Sequence, residues 1–139
     1  MLITTDIGNG SQGQVLGSDG IATLWFQPVG TGFSSLTASS TGFTETPNPA
    51  FSNLTLLADP AGPAVTGSIV LPSMLNVWQQ EYIFRIFSAA TVTAFSLQLP
   101  SDGSGITFAP SATLPTSLAP GDIYSYYYNT FTNSWWSII

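Results

Sequence analysis

Along the chain, hydrophobic and polar residues alternate in short runs, and Gly, Pro, Asn and Asp punctuate them at close intervals. Runs of period two predict β-strands, with turns where the punctuation falls. The clearest strands are residues 22–27, 53–58, 64–71, 81–88, 91–99, 105–109, 123–130 and 134–139. No stretch carries a sustained helical period with caps, and residues 73–80 have room for one helical turn at most. Short strands at turn-separated intervals predict an all-β fold, an antiparallel β-sandwich or jelly roll.

The N-terminal third reads differently. "GQVLGSDG" at 13–20 predicts a hairpin, with Asp19 and Gly20 in the turn and Leu24, Trp25 and Phe26 on the returning strand. Residues 28–50, "PVGTGFSSLTASSTGFTETPNPA", are rich in Ser, Thr and Gly and carry few strand signals. They read as an extended connector that orders against a neighbour. Two regions follow: an arm over 1–50, with its hairpin and connector, and a β-sandwich domain over 51–139.

Two segments carry aromatic or apolar residues on both strand faces. In 81–88, Tyr82, Phe84 and Ile86 share one face, and Glu81, Ile83, Arg85 and Phe87 the other. A strand apolar on both faces lies at the centre of a fold or against a neighbouring subunit. Arg85 then either meets an acceptor or lays its aliphatic stem over apolar surface. In "IYSYYYNTFTNSWWSII", Tyr124, Tyr126 and Tyr128 share a face, Tyr127 takes the other, and Trp135 and Trp136 point opposite ways. Such rings fill a core and a subunit interface, or else stack on sugars.

Charge narrows the function. The 139 residues are 44% hydrophobic and only 6% charged, with a net charge of −6. Arg85 is the sole cation, so neither nucleic acid nor a membrane surface is an expected partner. Polar uncharged residues must cover the surface, or subunit contacts must bury it. Without His, Lys or Cys, triads, Schiff bases and thiol nucleophiles are excluded. A two-carboxylate glycosidase is the one enzyme class left, and seven dispersed acids do not suggest it. Asp102 in "SDGSG" falls far short of a calcium loop, so no metal and no cofactor is expected. The sequons at Asn9 and Asn53 lack a secretory signal to go with them.

Two segments resemble bacteriophage virion proteins. Residues 8–30, "GNGSQGQVLGSDGIATLWFQPVG", resemble a glycine-rich element of tail fibres and other particle-surface proteins, matched at Gly10, Gly13, Gln14, Val15, Leu16, Ser18, Asp19, Gly20 and Trp25. Residues 81–139 are similar to small β-sandwich modules on phage fibres and capsid decorations. The resemblance implies a non-enzymatic, typically trimeric module on the virion surface, made in the host cytoplasm without a signal peptide. The chain starts almost at the glycine-rich element and has no coiled-coil heptad, which favours a decoration (cement) protein over a long fibre.

The leading expectation is therefore a homo-oligomeric structural protein, a trimer by the resemblance, that binds the major capsid protein or other virion proteins. Trp25, Phe26, Phe33, Phe43, Ile83, Arg85 and Phe87 are the candidate contacts. The alternative is a short tail fibre or adhesin that stacks a host glycan on Tyr126, Tyr128, Trp135 or Trp136. A secreted lectin, the third class, would need an export signal.

Overall fold

The computed structural model describes residues 15–18, 23–26, 32–74 and 81–138. All regular structure among them is strand: β1 (Val15–Ser18), β2 (Thr23–Phe26), β3 (Gly32–Ala38), β4 (Phe43–Glu45), β5 (Phe51–Ala58), β6 (Ala64–Val70), β7 (Glu81–Ser88), β8 (Val92–Gln98), β9 (Thr107–Phe108), β10 (Ile123–Asn129) and β11 (Ser134–Ile138). Every expected strand has a counterpart. β1 and β2 form the expected hairpin, antiparallel from Val15↔Phe26 to Ser18↔Thr23, as a sheet of their own. The helical turn weighed for 73–80 lies mostly outside the described residues.

The strand pairing corrects the antiparallel sandwich or jelly roll. One sheet has six strands in the order β3-β5-β7-β10-β11-β9, the other three in the order β4-β6-β8, and both contain parallel pairs. From β3 to β8 the chain alternates between the two sheets. Ser34, Leu54 and Ile86 align across β3, β5 and β7, while Phe43, Gly67 and Phe95 align across β4, β6 and β8. Three successive rungs therefore stack in parallel. Parallel neighbours need a long crossover, and here the strand in the opposite sheet supplies it.

The links between the strands of a rung are corners where the chain changes sheet. At the second corner, Asp59 accepts from Ala61 N at 2.8 Å and from Ser40 N at 3.0 Å, tying it to the corner below. At the third, Ala89 N donates to Leu56 O at 2.8 Å, and Ser88 Oγ donates to Ala90 O at 2.8 Å. Asp, Pro and Gly turn a chain equally well into a hairpin or into such a corner.

A second correction concerns residues 28–50. β3 and β4 pair with β5 and β6, so residues 32–45 are the first rung of the stack rather than a connector, and pairing runs straight across the expected boundary at 51. The strand signal is faint because two of its three inward positions, Ser34 and Ala38, are small and weakly apolar.

Both sheets contribute to one hydrophobic cluster. Leu54, Leu56, Tyr82, Phe84, Ile86, Tyr126 and Trp135 come from the six-stranded sheet, and Ala64, Ile69, Val92, Phe95 and Leu97 from the other. Period-two alternation accounts for this, since each strand turns one set of side chains inward. Gly67 is a fitted position within it: a Cβ there would stand 2.4 Å from the Phe43 ring.

The C-terminal part closes one end of the stack. β10 runs antiparallel to β7, β11 antiparallel to β10, and β9 parallel to β11. On the smaller sheet, Val92 and Leu118 exchange backbone hydrogen bonds at 2.9 Å, and Phe95 N donates to Thr116 O at 2.8 Å, so this segment covers the edge of β8. Among the described residues, β3 and β4 remain the edge strands at the opposite end.

Candidate functional site

The outward side of the six-stranded sheet gathers large apolar residues in register. One row runs Phe33, Asn53, Arg85, Ser125, Ile138 across five strands. A second row is Thr55, Phe87, Ile123, and a third is Ile83, Tyr127, Trp136. Phe33 is 71% exposed, Ile123 61%, Ile138 45% and Trp136 38%. Phe51 and Leu57 add to the same side from β5. Scattered exposed apolar residues are ordinary, whereas a continuous apolar patch marks an interaction surface.

β7 occupies the interior of this sheet, between β5 and β10. Its faces divide as the sequence indicates: Tyr82, Phe84 and Ile86 are buried, while Ile83, Arg85 and Phe87 are half-buried on the outward side. The chain's only cation thus sits within the apolar face, and it makes no ion pair or hydrogen bond among the described residues. Asn53, next to it in the row, is committed elsewhere. Its Nδ2 donates to Gly32 O at 3.3 Å and to Ser52 Oγ at 2.8 Å, and its side chain is buried, so it offers no glycosylation acceptor.

Of the expected contact residues, the fold brings Phe33, Ile83, Arg85 and Phe87 onto one face. Phe43 lies on the other sheet with its ring over Gly67, packed against the core. The side chains of Trp25 and Phe26 lie outside the description. Sequence reading missed Ile123, Ile138, Phe51 and Leu57 as members of the face. Alternation within β10 separates Ile123 and Tyr127 from Tyr124, Tyr126 and Tyr128, but joining them to β7 required the strand pairing.

The aromatic residues proposed for sugar stacking are mostly internal, which corrects that reading for three of the four. Tyr126 and Trp135 are 0% exposed and Tyr128 7%. Trp135 meets Tyr82 edge-on at 5.8 Å and 68°, and Tyr128 at 5.4 Å. Tyr82 donates to Phe51 O, Tyr126 to Thr113 O at 3.0 Å, and Tyr128 to Asn133 Oδ1 at 2.6 Å. Burial raises the pKa of all three phenols, so they stay neutral donors. Trp136 alone of the four turns outward, its Nε1 donating to Ser134 Oγ at 2.9 Å.

Two hollows lie among the described residues. A shallow groove of about 340 Å³ on the three-stranded sheet is lined by Thr44, Thr66, Ser68, Ser96, Gln98 and Thr116 together with Phe43. Its hydroxyls and amide can donate and accept hydrogen bonds, but none of them serves as a proton-transfer group near neutral pH. A smaller one, about 250 Å³, lies between Tyr124, Tyr126 and the outward Ile123 and Ile138. No group of three or more metal-ligating side chains occurs among the described residues.

Three of the described carboxylates, Asp59, Asp102 and Asp122, serve turns. Interactions with Ser104, whose backbone N–H donates to Asp102 Oδ1 at 3.0 Å, and with Ser73 hold the Asp102 carboxyl down from an ordinary 3.8 to about 2. Hydrogen bonds from the backbone of Ala61 and Ser40 lower Asp59. Asp122 Oδ2 accepts from Ala119 N at 2.8 Å. Compared with protein-family models, curated proteins and solved structures, the chain matches none.

Proposed function

We propose that this chain is a structural protein of a bacteriophage particle, a capsid decoration (cement) protein. Its two sheets form a β-sandwich whose six-stranded layer turns its outward face to neighbouring subunits and to the shell. The observation that carries this reading is the gathering of exposed large apolar residues, Phe33, Ile123, Trp136 and Ile138 among them, on one face of the six-stranded sheet. The resemblance of residues 8–30 and 81–139 to particle-surface proteins supplies the setting.

The physical rationale is burial. Covering an exposed Phe or Ile side chain contributes roughly 1.5–3 kcal/mol each, opposed by the cost of fixing two bodies together. Several such residues on one face supply the apolar part of a contact with a matching surface. Mass spectrometry of purified particles, and of shells separated from their tails, tests the assignment. The chain should travel with the tailless shells; recovery with tails alone would favour the adhesin reading, which retains only Trp136 of its four aromatic residues.

A further inference from the structure

We infer that the β1–β2 hairpin of one copy adds to the open edge of β3 in another, extending the six-stranded sheet by strand exchange. The inference rests on the self-association part of the reading above and names the segment and the edge that carry it.

The end of the stack at β3 and β4 is unfinished. Leu36 is in register with the wholly buried Leu56 and yet is itself only half-buried. Phe43, in register with the buried Gly67, is half-buried too. Each of the two strands pairs on one side alone among the described residues, which leaves a row of backbone donors and acceptors on the other. Such an end is a template for a further strand.

The two edges are not equivalent. β4 has three residues, and Glu45, in register with the core residues Ile69 and Leu97, sets a charge on its inward side. Short length and an inward charge are devices that protect an edge from pairing. β3 has seven residues, "GFSSLTA", with no charge and no proline. Its edge is long and unguarded, so strand addition is directed there. Packing two whole ends together is opposed, because it would set Glu45 of one copy against Glu45 of the other.

The hairpin is the matching half. β1 and β2 form a sheet of two strands, which is marginal in water until a third strand or a packing partner joins it. Its strands, "VLGS" and "TLWF", also lack charge and proline, and their four residues fit within the length of β3. One chain keeps the hairpin and β3 in separate sheets. A second copy therefore supplies what each lacks, by backbone pairing along the edge.

The chain has no cysteine, so single introduced thiols report the contact cleanly. Thr23→Cys marks the hairpin, and Ser35→Cys marks an exposed position on β3. Full-length chains carrying one each, with different tags, are mixed and treated with a short bismaleimide. The two variants should link to each other, and neither to itself. Ser34→Lys, which gives β3 the inward charge that β4 has, should weaken association by about tenfold or more in light scattering. Circular dichroism checks that this variant folds; if it does not, the cross-link alone decides. A link confined to one chain when both thiols are placed in it, a link between two Ser35→Cys chains, or no link overturns the exchange. If the wild type is a multimer in those cases, self-association stands without it. A monomeric wild type removes both.

Discussion

Trp135 and Trp136, adjacent in β11, face opposite sides of the six-stranded sheet: Trp135 is wholly buried against Tyr82 and Tyr128, while Trp136 lies beside Ile138 on the outward face. One residue step thus separates a core position from a surface position. Trp135→Ala should cost about 3–5 kcal/mol, the usual range for deleting a buried aromatic ring. Trp136→Ala should cost less than about 1 kcal/mol in the isolated subunit. Urea unfolding of the two variants checks the contrast, and equal losses would contradict the division.

The outward face should matter for association and little for folding. Ile123→Asp and Phe33→Asp place a charge at positions that are 61% and 71% exposed. The subunit's unfolding free energy should change by no more than about 0.5 kcal/mol. Association, read by sedimentation, should weaken by about tenfold or more, because a buried unpaired carboxylate opposes the contact.

Gly67 is fixed by Phe43. A methyl group at 67 would overlap the Phe43 ring, so Gly67→Ala should destabilise by roughly 1–3 kcal/mol. In a Phe43→Ala background the same substitution should cost distinctly less, since the ring that opposes it is gone. Thermal unfolding of the single and double variants gives this coupling directly.

Acid should loosen the turns before the core. The folded-state pKa values of Asp102 and Asp59 are depressed, so their hydrogen bonds stabilise fully above the ordinary 3.8. That contribution fades as pH falls through the folded values, near 2 for Asp102. Carboxyl-carbon NMR titration should place Asp102 near 2. Amide protection factors in residues 100–105, corrected for the intrinsic pH dependence of exchange, should fall between about pH 4 and pH 2 while core strands stay protected.

Strand positions and strand faces were legible because period two is a local property. β7 shows this, with Tyr82, Phe84 and Ile86 inward and Ile83, Arg85 and Phe87 outward. Partnership was not legible. Leu54 meets Ile86 through a long crossover, and the corner at 59–62 has the residues of an ordinary turn. β3 and β4 escaped notice because Ser34 and Ala38 give a weak inward signal, although Leu36 and Phe43 pack against the core. The apolar face was half visible: Phe33, Ile83, Arg85 and Phe87 could be named, but Ile123 and Ile138 joined them only through pairing across β10 and β11.

A cryo-electron microscopy reconstruction of the particle tests the central claim most directly. The account predicts copies of this chain on the capsid surface, with Phe33, Arg85 and Ile123 buried against a neighbouring subunit or the shell. A capsid without it, or copies whose six-stranded sheet faces open solvent, would contradict the account.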